Sequence, residues 1–311
     1  MSKILKALQK IQSSGRQTGT GKRKSATHGV SPLLARNSGA GNELTGGESE
    51  STHGVVIEVD QKALREAGLI APDYDEKIIA DQYRDIKRPL IANAYGKRVS
   101  RVEDGNLIMV TSALAGEGKT FTSLNLAISI AQEQDLTVLL VDGDVVKPTI
   151  SDVFGVAEMP GLLDLLQGDS QGPESLVVPT DMKGLSILPA GTSRPDATEL
   201  LSGSRMENIM RQFVGRFPQR VVIFDTPPLL QTSESKVLTS MAGQIVLVVK
   251  AESTSHGAVA EALQVLGADI TVNLILNQSR TAGIENRYEY GYGYEPGDTP
   301  QKAPLKPSIW D

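Results

Sequence analysis

The chain has 311 residues with a formal net charge of −6, and 40% of its residues are apolar and 22% charged. This composition is ordinary for a globular protein with a sizeable core, and the lack of cysteine excludes disulfides and thiolate metal sites and favours a reducing compartment. No apolar run approaches the roughly 20 residues that span a bilayer, and the first residues lack signal-peptide features, so the sequence predicts a cytoplasmic protein.

The N-terminal part is basic and poor in large apolar side chains. Ile4, Leu8 and Ile11 recur at helical spacing, which predicts a short amphipathic helix over residues 1–12. Residues 13–54 are rich in Ser, Gly, Thr and Asn and predict a flexible linker. A basic arm of this kind binds an anionic membrane surface or nucleic acid, or only keeps the chain in solution. The sequence leaves these alternatives open.

Residues 55–280 are predicted to form the folded domain. It begins with a short strand or docking segment and a helix over 76–99 that Pro89 should bend or break. Apolar strands and helices then alternate: strands at 107–112, 137–141, 220–224, 244–250 and 272–276, and helices at 119–133 and 197–217. Strands that are apolar on both faces and separated by helices predict an α/β fold, a mostly parallel sheet with helices on both faces.

The segment S-A-L-A-G-E-G-K-T at residues 112–120 lies between a predicted strand and a predicted helix. Gly116 and Gly118 would let backbone N–H groups converge on phosphate oxygens at the positive end of the helix. Lys119 would reach the β- and γ-phosphates of ATP, and Thr120 would place its hydroxyl on Mg²⁺. Ala113 replaces the usual first glycine, so a structural turn stays an alternative. The predicted nucleotide contacts are Ala115, Gly116, Glu117, Gly118, Lys119, Thr120, Phe121 and Asn277.

Three carboxylates follow predicted strands, Asp142 and Asp144 in V-L-L-V-D-G-D and Asp225 in V-V-I-F-D-T-P-P. Because ligands of parallel sheets bind beyond the carboxyl ends of the strands, we expect these side chains beside the phosphate loop. An acid after a strand can also simply cap a helix. Together with a phosphate loop and Lys119, however, three such acids form the catalytic set that phosphoryl transfer requires.

The C-terminal segment 281–311 holds four of the seven tyrosines within seven residues: Tyr288, Tyr290, Tyr292 and Tyr294. Such a run can be a low-complexity tail or a period-2 strand. A phosphoryl-donor site and a cluster of hydroxyl acceptors in one chain instead suggest a kinase that phosphorylates its own tail.

These residues resemble the bacterial tyrosine kinases (BY-kinases) of polysaccharide export. The likeness covers roughly residues 76–294, in T-S-A-L-A-G-E-G-K-T, L-L-V-D-G-D-V-V-K-P, G-L-L-D-L-L-Q-G, E-L-L-S-G-S-R-M, D-T-P-P-L-L, Q-I-V-L-V-V-K and the tyrosine run. More narrowly, S-K-I-L-K-A-L-Q-K and Q-Y-R-D-I-K-R-P-L-I-A-N-A are similar to the exosortase-associated tyrosine autokinases of exopolysaccharide biosynthesis.

The resemblance implies a deviant P-loop NTPase fold and transfer of the ATP γ-phosphate to tail tyrosines of a neighbouring subunit. Thr120, Asp144 and Asp225 match the Mg²⁺ site, and Asp142 matches the proton acceptor for the incoming tyrosine. Tyr83-Arg84 match the contact that builds a ring-like homo-oligomer. The implied partners are a membrane-embedded polysaccharide co-polymerase, which would activate the enzyme at the inner membrane, and a cognate tyrosine phosphatase.

The chain departs from the family pattern at several positions. Val146 stands where an arginine is usual, Ala115 where proline is usual, and Ser233-Glu234 where an aspartate is expected. The alternative function is an ATP-dependent switch that controls partner or membrane binding. Such switch ATPases carry a lysine at the position of Leu114, so its absence and the tyrosine run favour the kinase. A nucleic-acid partner is not expected, because the basic arm lacks aromatic side chains for stacking.

Overall fold

The computed structural model of the chain describes residues 55–73, 75–96, 101–168 and 172–279. The predicted helix over 1–12, the predicted linker over 13–54 and the tyrosine segment 281–311 lie outside the described residues. Among the described residues, no helix has the length and apolar character needed to cross a membrane.

Seven strands form one sheet. They are β1 (Leu107–Ser112), β2 (Thr137–Asp142), β3 (Val178–Pro179), β4 (Leu185–Leu188), β5 (Arg220–Asp225), β6 (Gln244–Lys250) and β7 (Thr271–Asn277). Their order is β3-β4-β2-β5-β1-β6-β7, and every neighbouring pair is parallel except β3 with β4. The predicted mostly parallel sheet is thus confirmed. Its register places Asp142 opposite Asp225, so these two acids end adjacent strands side by side.

Nine α-helices are described: α1 (Gln61–Glu66), α2 (Glu76–Tyr95), α3 (Lys119–Ala131), α4 (Thr149–Val153), α5 (Leu162–Gln167), α6 (Ala197–Leu201), α7 (Ser204–Arg216), α8 (Ser233–Ser240) and α9 (His256–Leu266). Alternate residues of β1 enter two separate apolar clusters. Val110 packs with Leu124 of α3, whereas Met109 packs with Phe213 of α7. Helices therefore cover both faces of the sheet, as the apolar strands predict.

The structure corrects two predicted helices. Helix α2 runs through Pro89 without a break, because Tyr83 and Leu90 on either side of the proline are both buried and hold the helix against the core. It ends at Tyr95 and not at residue 99. The single helix predicted over 197–217 is two helices, because Gly203 adopts an extended conformation (φ −80°, ψ 155°) between them.

Helix α2 is fastened to α3 by a buried lysine. Lys87 is 5% exposed, and its ammonium donates to the Ser129 carbonyl at 2.5 Å and pairs with Glu133 at 2.7 Å. Ser129 lies in the last turn of α3, where the carbonyl end of the helix dipole favours a cation. Lys87 therefore joins α2 to the helix that begins at the phosphate loop.

We expect Lys87→Met to lower the free energy of unfolding by about 2 kcal/mol, since a hydrogen-bonded charge is lost from a buried position. Urea denaturation of the full chain measures the change. The adjacent Arg88→Met is the matched control, because Arg88 is solvent-exposed and pairs with Asp85 at 3.0 Å on its own helix. Its effect should stay within about 0.5 kcal/mol. Equal losses in both variants would show that Lys87 does not fasten the two helices.

Candidate active site

The phosphate loop connects β1 to α3 and has the two left-handed glycines that its shape requires. Gly116 has φ +81° and Gly118 has φ +94°. A side chain at Gly116 would meet open space, whereas one at Gly118 would clash with the side-chain amide of Asn277. Gly116 is therefore needed for its backbone angle alone, and Gly118 for its angle and for the close approach of Asn277.

Side-chain hydrogen bonds, some of them from other elements, hold the loop in its conformation. The buried Glu117 accepts from the Leu114 amide at 2.8 Å and from the hydroxyl of Thr254, which lies between β6 and α9. Asn277, at the end of β7, donates to the Glu117 carbonyl at 2.9 Å. Glu117 and Asn277, both predicted as nucleotide contacts, thus use their side chains here to hold the loop itself.

Lys119 projects from the first turn of α3 onto Asp144. Its ammonium lies 2.9 Å from Asp144 Oδ2, while Oδ1 of the same carboxylate accepts from the Lys147 amide at 3.1 Å. Burial alone would lower the pKa of Lys119, but the negative charges of Asp225, Asp144 and Asp142 outweigh burial and raise it. Lys119 is therefore a fixed positive charge beside the phosphate loop.

Asp225 ends β5 in full burial. Its two oxygens accept from the hydroxyls of Thr120 at 2.7 Å and Ser123 at 3.0 Å. Burial raises the pKa of Asp225, although the Lys119 charge and these two hydrogen bonds oppose the shift. Thr120 and Ser123 lie one helical turn apart, so α3 presents both hydroxyls to the same carboxylate.

The oxygen atoms of Thr120, Asp144 and Asp225 are hard donors of the kind that Mg²⁺ prefers. Within the described part of the chain, no group of three or more His, Cys, Asp or Glu side chains could hold a metal ion on its own. Proteins usually bind Mg²⁺ through one or two carboxylates together with substrate phosphates and water. The donors present therefore suit a Mg²⁺ that arrives with a nucleotide.

The two carboxylate oxygens of Asp142, at the end of β2, differ in their hydrogen bonds. Oδ2 accepts from the amide and hydroxyl of Ser151 at 2.7 and 2.8 Å. Oδ1 is buried and has no hydrogen-bond partner among the described residues. Burial raises the pKa of Asp142 to about 7, despite the opposing hydrogen bonds from Ser151. A carboxyl group that titrates near neutrality can accept a proton and release it again.

Residues predicted to lie at an intersubunit contact have different environments. Tyr83 is 5% exposed and packs on Phe121 of the same chain, with ring centroids 6.3 Å apart. Phe121, predicted as a nucleotide contact, is thus engaged in packing α2 on α3. Arg84 is about half exposed and pairs with Asp81. Of these two side chains, Tyr83 is therefore buried in its own chain and Arg84 is exposed at the surface.

Val146 and Glu234, two of the departures from the family pattern, differ in their surroundings. Val146 is 74% exposed, beside the loop that carries Asp144. Glu234 lies in the first turn of α8 and accepts from Thr198 of α6 at 2.6 Å, a hydrogen bond that lowers the pKa of its carboxyl. Glu234 therefore ties two helices together.

The structure also brings in polar residues that the sequence analysis missed. Ser123 shares Asp225 with Thr120, Ser151 holds Asp142, and Thr254 holds Glu117. Ser123 could have been found from its spacing, because it follows Thr120 by three residues on a helix that begins at the phosphate loop. Ser151 and Thr254 carry no local signal.

A ParA family model, described as NUBPL iron-transfer P-loop NTPase, matches residues 104–274. The tyrosine-protein kinase YwqD of Bacillus subtilis is 31% identical over 226 residues, which are 72% of this chain and 90% of YwqD. EpsB of Ralstonia nicotianae, which also bears a tyrosine-protein kinase name, is 34% identical over 189 residues.

The match to EpsB covers 60% of this chain, and the chain spans only 24% of the length of EpsB. Among solved structures, the kinase domain of VpsO superposes with a TM-score of 0.55 at 34% identity, over 67% of this chain and all of that domain. The resemblance in sequence and the expected P-loop fold are both confirmed.

Proposed function

We propose that this chain, which belongs to the bacterial tyrosine-protein kinases and has a ParA-type P-loop fold, transfers the γ-phosphate of ATP to its own C-terminal tyrosines. One observation carries the proposal. Lys119, Thr120, Asp142, Asp144 and Asp225 come from two strand ends and one helix start and converge beside one phosphate loop. The acceptors are Tyr288, Tyr290, Tyr292 and Tyr294 of a neighbouring copy.

The transfer can be written with these residues. The phenolic oxygen of the acceptor tyrosine attacks the γ-phosphorus, and the new O–P bond forms as the bond from phosphorus to the β,γ-bridging oxygen breaks. ADP leaves with the electron pair. The phenolic proton passes to Oδ1 of Asp142, which no other described group occupies. Lys119 offsets the negative charge that spreads over the transferring group.

Mg²⁺ would be held by Thr120, Asp144 and Asp225, and when bound it would neutralise charge on the β- and γ-phosphates. Thr120 and Asp225 already lie in direct contact at 2.7 Å. Asp225 keeps the Thr120 hydroxyl at the start of α3, beside the loop that receives the phosphates.

We expect Asp225→Asn to weaken Mg·ATP binding about tenfold or more without weakening the fold. Since burial raises the pKa of Asp225, its ionised form costs folding free energy at neutral pH, and asparagine removes that cost. Calorimetry with and without Mg²⁺ measures the affinity, and thermal unfolding checks the fold. Asp135→Asn, at an exposed position after α3, is the control. Unchanged Mg·ATP affinity in both Asp225→Asn and Asp144→Asn would place the metal elsewhere.

The proposal also covers the oligomeric state of the protein, its partners and its location in the cell. Arg84 on α2 would contact the next subunit of a ring-like homo-oligomer, so that each tail enters a neighbouring site. A membrane-embedded polysaccharide co-polymerase would hold the enzyme peripherally at the inner membrane and activate it, and a cognate tyrosine phosphatase would reverse the modification. The process served would be exopolysaccharide synthesis and export. These points follow from the family resemblance and from the Q-Y-R-D-I-K-R-P segment of α2.

A switch ATPase is the second candidate, and the ParA-type match over residues 104–274 favours it. Intact mass of the full chain after incubation with Mg·ATP, against phosphatase-treated protein, separates the two. The kinase predicts added phosphate masses that map to residues 288–294. ADP release with no added mass would support the switch and refute the kinase.

A further inference from the structure

We propose that Ser151 is a positioning residue for phosphoryl transfer: it occupies Oδ2 of Asp142 and so dedicates Oδ1 to the proton of the acceptor hydroxyl. The inference rests on the proposed function, because it concerns the proton acceptor of that reaction. It starts from the hydrogen bonds around Ser151, a residue that is 1% exposed and that no sequence motif singled out.

The direction of the Ser151 proton follows from its neighbours. The Ala190 amide donates to Ser151 Oγ at 3.0 Å. A backbone N–H can only donate, so Oγ is the acceptor in that bond. The single hydroxyl proton of Ser151 is therefore left for Asp142 Oδ2 at 2.8 Å, and the Ser151 amide donates to the same oxygen at 2.7 Å.

Ala190 is itself fixed by the start of α5. The Leu163 amide donates to the Ala190 carbonyl at 3.0 Å, and the Leu162 amide donates to the Pro189 carbonyl at 2.8 Å. The segment that orients Ser151 is thus anchored on a second helix. A path of hydrogen bonds leads from α5 through residues 189–190 and Ser151 to Asp142.

The consequence is an asymmetric carboxylate. Two donors on Oδ2 fix the plane of the Asp142 carboxyl group, while Oδ1 lacks any donor among the described residues. Buried polar atoms normally have a partner, so this buried oxygen at the end of a strand beside the phosphate loop is open to a donor from beyond the described residues. A substrate hydroxyl is such a donor. Ser151 thereby selects which oxygen receives the proton.

The test compares three variants of the full chain at this position. Ser151→Ala removes the hydroxyl, Ser151→Cys keeps the volume with a weak donor, and Ser151→Thr keeps the hydroxyl. We expect the first two to lower kcat for tyrosine phosphorylation about tenfold, a part of what general base catalysis contributes. KM for Mg·ATP should change less than about twofold, and Ser151→Thr should retain most activity. Ser129→Ala, a buried serine near the far end of α3, is the control.

A double-mutant cycle with Asp142→Asn separates positioning from packing. If Ser151 acts through Asp142, Ser151→Ala has no further effect on kcat once Asp142→Asn is present. An equal kcat loss in both backgrounds, or full activity of Ser151→Cys, would overturn the inference. Full activity of Asp142→Asn would instead refute Asp142 as the proton acceptor, and hence the proposed mechanism itself.

Discussion

Replacing Lys119 by methionine is expected to abolish tyrosine phosphorylation, with a loss in rate of at least about 100-fold. The lysine lies beside Asp144, and its positive charge interacts with all three carboxylates. Methionine keeps the length and the apolar stem but removes the charge that offsets the transferring phosphoryl group. Phosphate incorporation measured by intact mass and by a single-turnover assay gives the effect.

The fold should survive this change. Lys119 is the first residue of α3 and contributes a side chain to the cleft, whereas the helix is held by core residues such as Leu124 and Ile130. Thermal unfolding and calorimetry with ADP provide the check. Lys183→Met, an exposed lysine between β3 and β4, should behave as wild type. Normal phosphorylation by a folded Lys119→Met protein would refute the role given to this loop.

The elements predicted well from sequence were those with an unmistakable local pattern. The bounds of β1 and β6 agree with their apolar runs, because a strand buried on both faces is apolar at most of its positions. Helix α3 was found from its helical periodicity after the phosphate loop, although it ends at Ala131 and not at residue 133. Helix α9 was missed although Ser255 caps it, accepting from the Ala258 amide at 3.1 Å, and such a cap can be read from the sequence.

The candidate site likewise contains residues that a local motif predicts and residues that it does not. Lys119, Thr120 and the three aspartates sit in motifs that end strands or begin a helix, so topology alone predicts that they meet. The residues that orient these side chains do not lie in such motifs. Ser151 reaches Asp142 through a short helix, and Thr254 reaches Glu117 across 137 positions of sequence. Their roles depend on tertiary packing, which a serine or threonine in isolation does not reveal.

The tyrosine segment should control assembly through its charge. Each phosphate adds about −1.5 to −2 charges, so four on one short segment add roughly −6 to −8. In the proposed transfer they enter a site that already contains Asp142, Asp144 and Asp225, and the chain as a whole carries −6. Repulsion should therefore expel a phosphorylated segment from the neighbouring site. We expect the phosphorylated protein to be smaller in solution than the phosphatase-treated protein, as measured by light scattering.

Replacing Tyr288, Tyr290, Tyr292 and Tyr294 together by phenylalanine separates tail charge from nucleotide binding. The four-Phe variant keeps the aromatic rings and removes every acceptor hydroxyl, so it should bind Mg·ATP and remain assembled. Arg84→Ala, which removes the exposed guanidinium proposed for the interface, supplies the dissociated reference. Wild type should move toward that reference during incubation with Mg·ATP, while the four-Phe variant should not. If both proteins dissociate equally, nucleotide binding drives disassembly and the charge on the tyrosine segment has no part in it.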